Sequence, residues 1–256
     1  MIDLPVFPDL EGASVFITGG GSGIGAALTE AFLRQGSRVA FSQRSDASPF
    51  CDAMQSLTGN RPLFLRCDVT DSAAMRAAIA EAAEVHGPVR ILMNNAANDA
   101  RHGTLDTTGE DWDRLMDVNL KAYFMTSQAV IPGMRALGGG SIVNMTSISY
   151  MMGNAGYPAY VAANSGINGL TRALAREFGA DGIRVNALAP GWVMTRKQRE
   201  MWVTPEALEA HLGRQCLKEP LAPHDIAGGA LFLASRASRM MTGQALVIDG
   251  GVVTTG

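Results

Sequence analysis

The segment Ser14-Val15-Phe16-Ile17-Thr18 runs directly into Gly19-Gly20-Gly21-Ser22-Gly23-Ile24-Gly25, and this junction decides the fold of the chain. The first five residues form an apolar, β-branched run that is typical of a buried strand, and residues 24–35 have the apolar spacing of a helix. Glycines in the intervening turn allow a close backbone approach, and the first turn of a helix offers free N–H groups to an anion. We therefore predict a phosphate-binding turn at this junction.

The rest of the chain repeats the alternation of short apolar runs with longer amphipathic stretches, including one long predicted helix over 110–137. Strands that alternate with helices indicate a parallel sheet covered on both faces, because each helix packs back onto the sheet. No linker, repeat or low-complexity segment interrupts the 256 residues. We predict a single doubly wound α/β domain over 1–256 with seven parallel strands. They are expected at 14–18, 38–42, 63–66, 89–94, 140–146, 184–189 and 245–248.

The composition of the chain limits the kinds of partner that it is expected to bind. The net charge is −3 and no Lys/Arg-rich run occurs, which argues against nucleic acid or an anionic membrane as the main partner. The acidic, proline-broken N-terminus is unlike a signal peptide. Three widely spaced cysteines are typical of reduced thiols, so we expect a cytoplasmic protein. The four histidines lack metal-ligand spacing, and we predict no metal site.

The glycine spacing Gly19-x3-Gly23-x-Gly25 resembles that of the short-chain dehydrogenase/reductase family, and further motifs follow in the family's order along nearly the whole chain. The resemblance implies a Rossmann-type fold, an NAD(P) cofactor, a small-molecule substrate and a homotetramer or homodimer. The implied cofactor contacts are Gly19, Ser22, Gly23, Ile24, Gly25, Asp68, Val69, Asn95, Ala96, Ala97, Tyr160, Asn164, Pro190, Gly191, Val193 and Thr195.

The end of the second strand bears on the choice of dinucleotide. NAD enzymes place a carboxylate there for the ribose 2′-hydroxyl, whereas NADP sites favour a cation. This chain has Gln43 at that place, followed by Arg44, whose guanidinium can pair with a 2′-phosphate. We therefore favour NADP(H). The alternative is that Arg44 stacks on adenine and that NAD(H) also binds.

The family's catalytic set is an asparagine, a serine, a tyrosine and a lysine, and the resemblance places the first three at Asn119, Ser147 and Tyr160. Ser147 would hold the substrate oxygen, and Tyr160 would transfer the proton. The family lysine, which binds the nicotinamide ribose and lowers the tyrosine pKa, is replaced by Asn164. An amide can still form hydrogen bonds but carries no charge. The replacement therefore predicts slower oxidation near neutral pH or a reductive bias.

Three explanations of Asn164 stay open. It is a natural feature of a variant branch, an engineered substitution that slows turnover, or the mark of a protein that kept nucleotide binding and lost its chemistry. The last would make the chain a sensor or partner subunit. The remaining motifs of the site are complete, which favours an enzyme.

The segments Asn98-Asp99-Ala100-Arg101-His102, 195–198 and 215–218 resemble bacterial aldose 1-dehydrogenases, which oxidise xylose, arabinose or galactose to lactones. Against a sugar, Trp192 and several methionines, Met151, Met152 and Met194, would suit a ketone or cyclic imine, giving an NADPH-dependent reductase as the alternative. The irregular segment 194–221 is predicted to form a substrate lid over the strand ends. The predicted substrate contacts are Asn98, Ser149, Asn154, Tyr157, Trp192 and Gln198.

Overall fold

A seven-stranded parallel sheet forms the centre of the structure, a computed structural model that describes residues 4–254. Its strand order is β3-β2-β1-β4-β5-β6-β7, and every neighbouring pair is parallel. The predicted fold class is therefore confirmed. The strands are β1 (Ser14–Thr18), β2 (Arg38–Gln43), β3 (Leu63–Arg66), β4 (Ile91–Asn94), β5 (Gly140–Met145), β6 (Ile183–Pro190) and β7 (Ala245–Ile248).

Both faces of the sheet are buried, as the uninterrupted apolar runs of the central strands require. Val15 and Ile17 on β1 pack into one core cluster, whereas Phe16 between them packs into the cluster on the other face. All three side chains have an exposed fraction of 0%. This alternation follows from the two-residue period of a strand, which sends successive side chains to opposite faces.

Helices cover the two faces in separate sets. Leu28 and Leu231 contribute to the first core cluster, and Val130 and Leu174 contribute to the second. Within residues 4–254, no helix is long and apolar enough to cross a bilayer. The α-helices are α1 (Gly23–Arg34), α2 (Ser48–Thr58), α3 (Ser72–His86), α4 (Gly109–Met116), α5 (Ala122–Ala136), α6 (Pro158–Phe178), α7 (Arg196–Met201), α8 (Pro205–Arg214) and α9 (Pro223–Ala234).

One helix prediction needs correction, and one helix was not predicted. The continuous α-helix expected over 110–137 is interrupted by a π-helical turn at Asp117–Lys121, which separates α4 from α5. Such a turn adds a residue without changing the apolar pattern much, so periodicity does not reveal it. Helix α2 was not predicted, because only Cys51 and Met54 of its side chains are buried and its apolar face is correspondingly weak.

The segment predicted as a lid contains the two short helices α7 and α8, neither of which has a fully buried residue. Its ends are tied together where the Met194 N–H donates to the Leu221 carbonyl at 2.7 Å, beside a parallel bridge between Val193 and Leu221. The segment therefore leaves and rejoins the domain at one place, although its function as a lid stays a prediction.

We expect Leu92→Ala in β4 to lower the free energy of unfolding by about 2–5 kcal/mol, because the substitution leaves a cavity in the core. Leu92 is 0% exposed, whereas Leu105 is 98% exposed and provides the matched control. Leu105→Ala is expected to change the free energy by no more than about 0.5 kcal/mol. Urea denaturation of both variants measures the difference, and equal midpoints would contradict this description of the core.

Candidate active site

A pocket with a volume of about 540 Å³ opens at the carboxyl ends of the strands, where the strand order reverses between β1 and β4. Its walls come from Ile24 in α1, from the segments after β5 and β6, and from α7 and α8. Ligands of doubly wound sheets bind in the crevice at such a reversal. The fold thus gathers most of the predicted site residues at one end of the sheet.

The glycine turn after β1 is too tightly packed for side chains. A Cβ at Gly25 would lie 2.0 Å from the carbonyl oxygen of Gly19, and a Cβ at Gly20 would lie 2.5 Å from Cβ of Phe41. Gly19 and Gly23 have φ values of 69° and 55°, a region that favours glycine. The turn is thereby held against the start of α1, whose first N–H groups can receive a phosphate.

Asn95 connects this turn to the end of β4. Its side-chain amide donates to the Thr18 carbonyl at 2.9 Å, and its backbone N–H donates to the Thr18 hydroxyl oxygen, also at 2.9 Å. The Ala96 N–H donates to the same hydroxyl oxygen at 3.0 Å. Asn95 and Ala97 also line a second, smaller cavity. The predicted cofactor residues of β1 and β4 therefore form one hydrogen-bonded unit.

At the end of β2, Gln43 uses its side-chain oxygen to accept from the Gly21 N–H at 3.1 Å. Arg44 is 80% exposed, and its Nη1 lies 3.7 Å from Oδ2 of Asp68. Burial acts to raise the pKa of Asp68, but hydrogen bonds from Thr70 and the charge of Arg44 outweigh it and hold that pKa below its usual value. The guanidinium of Arg44 is therefore exposed at the end of β2. Val69, which was also predicted to contact the cofactor, is buried in the core.

Ser147 and Tyr160 both line the large pocket, as predicted. Ser147 follows β5, and its Oγ accepts from the Ser149 N–H at 3.1 Å. Tyr160 lies in the first turn of α6, with its ring stacked on that of Tyr157 at 5.3 Å between centroids. Burial, reinforced by the negative charge of Asp99, raises the pKa of Tyr160 to about 12, although Ser147 and Asn164 act in the opposite direction.

Asn164 lies one helical turn beyond Tyr160 and is 3% exposed. Its Nδ2 donates back to the Tyr160 carbonyl at 2.8 Å, which is a local contact within the helix. Its own carbonyl accepts from the Thr146 hydroxyl at 3.2 Å and from Nδ2 of Asn168 at 2.8 Å. The position that the family fills with a cation is therefore neutral here and is fixed by hydrogen bonds.

Asn119 lies in the π-helical turn and forms two hydrogen bonds with the loop after β4. Its Oδ1 accepts from the Asn98 N–H at 2.7 Å, and its Nδ2 donates to the Asn98 carbonyl at 3.0 Å. The Asn98 side chain accepts from the Ala100 N–H at 3.1 Å. Asp99 and Arg101 line the pocket, whereas Asn98 is not among its lining residues, and the substrate contact of Asn98 stays a prediction.

Asp99 joins this loop to α7. Its Oδ1 lies 2.5 Å from Nζ of Lys197, and its Oδ2 accepts from Nε2 of Gln198 at 2.6 Å. Oε1 of Gln198 in turn accepts from Nε1 of Trp192 at 2.9 Å. Burial acts to raise the pKa of Asp99, but Lys197 and Gln198 overcome it and keep that pKa low. A carboxylate therefore faces the pocket and holds the lid segment.

The other predicted substrate contacts do line the pocket. Nδ2 of Asn154 donates to the Tyr157 hydroxyl at 3.0 Å, and the guanidinium of Arg101 lies 3.8 Å above the Tyr157 ring. Among residues 4–254, three buried polar atoms of the wall have no hydrogen-bond partner. These atoms are Oγ of Ser149, Nε1 of Trp202 and Nε2 of His211.

Neither Trp202 nor His211 was predicted from the sequence as a pocket residue, and the contact of His102 with the start of α6 was not predicted either. Nδ1 of His102 lies 2.9 Å from the Ala100 carbonyl, and Nε2 accepts from the Ala159 N–H at 3.2 Å. The histidine thus satisfies a free N–H at the start of α6, on the residue directly before Tyr160, and so joins two distant segments of the chain. No local motif marks such a contact.

The chain is similar over nearly its whole length to proteins of known type. A family model described as Enoyl-(Acyl carrier protein) reductase matches residues 19–253. The protein named "Probable galactose dehydrogenase GalD" of Rhizobium meliloti (strain 1021) is 48% identical over 248 residues, which cover 96% of this chain and 97% of that protein. The D-xylose 1-dehydrogenase of Caulobacter vibrioides (strain NA1000 / CB15N) is 44% identical over 247 residues, covering 96% and 98%.

A solved structure agrees with these relatives. It is described as one of the short-chain alcohol dehydrogenase type from Sinorhizobium meliloti 1021, and it matches with a TM-score of 0.91 and 33% identity over 97% of this chain and 98% of that chain. The family match, the identity to full-length dehydrogenases and the shared parallel sheet agree with one another. The chain belongs to the short-chain dehydrogenase/reductase family and is an NAD(P)-dependent oxidoreductase.

Proposed function

We propose that the protein oxidises a cyclic aldose at its anomeric carbon to the lactone. Oxidation removes a hydride from C1, for which the dinucleotide would supply the acceptor when bound, and the proton of the C1 hydroxyl passes to Tyr160 in its ionised form. The observation that carries this proposal is the polar part of the pocket lining, where Asp99, Asn154 and Ser147 lie together with Tyr160. The hydroxyl groups of a sugar can donate to a carboxylate and accept from an amide, whereas a simple ketone has no donor to offer.

The relatives support this choice of substrate class. Two that cover nearly the full chain are named as a galactose and a D-xylose dehydrogenase, and another is named galactitol 2-dehydrogenase (L-tagatose-forming), from Cereibacter sphaeroides. In the pocket wall, the carboxylate of Asp99 is a hydrogen-bond acceptor, and the amide of Asn154 is paired with the hydroxyl of Tyr157. Hydroxyl groups, which both donate and accept, suit such a mixed lining.

The residues at the glycine turn fit a dinucleotide. A Cβ at Gly25 would enter the space of the Gly19 carbonyl, so the turn is built for close backbone approach rather than for side chains. We propose that the predicted contacts from Gly19 to Gly25, and those at Asn95, Pro190 and Thr195, hold the cofactor. When bound, it supplies the hydride acceptor for oxidation. The exposed guanidinium of Arg44 favours NADP(H) over NAD(H), since its contact with Asp68 is long, at 3.7 Å, and leaves N–H groups that can bind a 2′-phosphate.

Ser147 and Tyr160 perform the proton chemistry in this proposal. Ser147 orients the reacting oxygen, and Tyr160 takes its proton in oxidation or returns it in reduction. Oxidation requires tyrosinate, which is scarce near neutral pH when the pKa is about 12. Asn164 keeps Tyr160 in place through the helix but supplies no charge to stabilise the anion.

We also propose a homotetramer or homodimer in the cytoplasm. Trp112 on α4 and Phe124 on α5 are 40% and 43% exposed, and such large apolar side chains favour a protein contact on this face. All three cysteines are free, with Cys51 and Cys67 buried and Cys216 exposed, as suits a reducing compartment.

We expect NADP⁺ reduction when the protein meets galactose, xylose or arabinose, with slower or absent reduction of NAD⁺. The measurement is the absorbance of the reduced nucleotide, with a parallel panel of ketones and cyclic imines assayed for NADPH oxidation. Turnover of ketones alone would overturn the aldose proposal. If no substrate is turned over and NADPH still binds tightly, the protein is a nucleotide-binding protein without turnover.

We expect Asn164→Lys to move the rise of the oxidation rate to lower pH, because an ammonium beside Tyr160 lowers the pKa of its hydroxyl. Each unit by which the pKa falls raises the tyrosinate fraction near pH 7 about tenfold. Steady-state oxidation rates from pH 6 to pH 10 measure the shift. Asn164→Gln is the matched neutral control, and a profile for Asn164→Lys that coincides with the control would contradict the electrostatic explanation.

We expect Asp99→Asn and Lys197→Gln to shift the oxidation pH profile in opposite directions. Removing the Asp99 charge lowers the pKa of Tyr160, whereas removing Lys197 leaves that charge unneutralised and raises it. Both variants loosen the contact between the pocket loop and α7, so both should raise KM by up to about fivefold. Shifts in the same direction would contradict this use of the ion pair.

A further inference from the structure

The charges in the wall of the large pocket are only partly paired. The charged side chains of the lining are those of Asp99, Arg101 and Arg214. Asp99 is occupied by Lys197 and Gln198, at 2.5 Å and 2.6 Å. In the part of the chain that the structure describes, neither arginine forms an ion pair. The wall therefore carries an excess of positive charge, in a chain whose net charge is −3.

Aromatic rings hold the guanidinium of Arg101 in the pocket. Its central carbon, Cζ, lies 3.8 Å from the centroid of the Tyr157 ring and 5.3 Å from that of the Trp202 ring. The Tyr157 ring in turn stacks on the ring of Tyr160, with 5.3 Å between their centroids. A guanidinium that lies over an aromatic ring presents its face to the ring and keeps the N–H groups along its edge for a ligand. Arg101 is therefore held close to the proton-transfer group with N–H donors that no carboxylate of the described chain occupies.

The second guanidinium comes from the end of α8. The residues of this helix that line the pocket are spaced by three or four positions, which places them on one face of the helix. They are Ala207, Ala210, His211 and Arg214. Burial, together with the charge of Arg214, lowers the pKa of His211, so the histidine is neutral near pH 7. The positive charge of the wall therefore comes from the two arginines.

An uncharged sugar would leave these two charges with water as their main partner. A guanidinium can donate two parallel N–H bonds to one carboxylate, and such charge-assisted bonds are about twice as strong as bonds between neutral groups. Asp99 does not oppose an incoming carboxylate strongly, because the ammonium of Lys197 offsets its charge. A positively charged cleft also raises the local concentration of anionic ligands. The wall therefore suits a substrate that is an anion.

We propose that the pocket prefers an aldose that carries a carboxylate away from C1, a hexuronate, and that Arg101 and Arg214 bind this carboxylate. The inference rests on the proposed function, because it names the substrate class of the same reaction. The hydride and the proton leave C1 as before, so the product is the lactone of an aldaric acid and the carboxylate itself is unchanged. Asp99 and Asn154 remain available to the ring hydroxyls.

The test compares kcat/KM for galacturonate and for galactose, with the intact protein and NADP⁺ near pH 7.5. We expect galacturonate to be preferred by about tenfold, the ratio that one charge-assisted contact supports. Arg101→Gln and Arg214→Gln should each remove most of this preference. Because both substrates are assayed on the same sample, the ratio is insensitive to a general loss of folded protein. Arg239→Gln, at an exposed position outside the pocket lining, is the matched control and should keep the parent ratio.

Two results would overturn the inference and leave the proposed function intact. One is a parent protein that oxidises galactose as well as galacturonate or better, and the other is a ratio that neither Arg101→Gln nor Arg214→Gln changes. Salt provides an independent readout, because dissolved ions screen the attraction between exposed charges. The preference for galacturonate should therefore shrink as sodium chloride is raised, and a preference that salt does not affect would contradict the use of the two arginines.

Binding without turnover separates failure of the carboxylate site from failure of the proposed function. Trp192 and Trp202 line the pocket, so a bound sugar should change the tryptophan fluorescence. The titration uses Tyr160→Phe with NADP⁺ bound, which lacks the proposed base. We expect a Kd for galacturonate about tenfold below that for galactose, and the difference should disappear when Arg101→Gln is added. Equal Kd values would overturn the carboxylate site. If the parent oxidises neither sugar while galacturonate still binds more tightly, the proposed function is wrong and the carboxylate site is supported.

Discussion

The contact on which the site depends is the one between Thr18 and Asn95. Thr18 ends β1 and Asn95 follows β4, and three hydrogen bonds of 2.9–3.0 Å join the two ends to each other and to Ala96. These strands flank the point where the strand order reverses, so the contact sets the width of the crevice there. Gly25 packs against the same unit and has no room for a Cβ. The glycine turn after β1 and the loop after β4 are therefore positioned by one polar cluster.

Around this cluster, electrostatics determine what Tyr160 can do. The hydroxyl is buried beside a carboxylate, and both conditions raise its pKa. Lys197 neutralises Asp99 in part but belongs to the lid segment, so the charge felt by Tyr160 depends on whether α7 stays in contact with the pocket loop. The position of α7 and the proton affinity of Tyr160 are thereby linked through a single ion pair.

The fold and much of the site could be predicted from local sequence. The glycine turn and the alternation of strands and helices leave patterns over a few residues, whereas Ser147 and Tyr160 were placed by resemblance to the family. The contacts between distant segments of the site leave no such pattern. Asp99 pairs with Lys197, which is 98 positions away, and His102 contacts Ala159, which is 57 positions away. Asn98 illustrates the limit, because the loop turns its neighbour Asp99 to the pocket while Asn119 holds its backbone. The π-helical turn that presents Asn119 is equally invisible to periodicity.

The reductive bias expected from Asn164 needs a more exact statement. A catalyst leaves the overall equilibrium unchanged, so a residue that destabilises tyrosinate cannot favour one direction at equilibrium. In the proposed function, where Tyr160 is the acid and base, its effect is on which protonation state reacts: oxidation uses the scarce tyrosinate, and reduction uses the abundant phenol. With a pKa of about 12, the phenol form predominates throughout the neutral range. The rate of reduction should therefore be nearly independent of pH there, while oxidation rises with pH. The apparent direction of the reaction therefore depends on the pH and on which substrates are supplied. Asn164 determines how strongly the rates of oxidation and reduction differ as the pH changes.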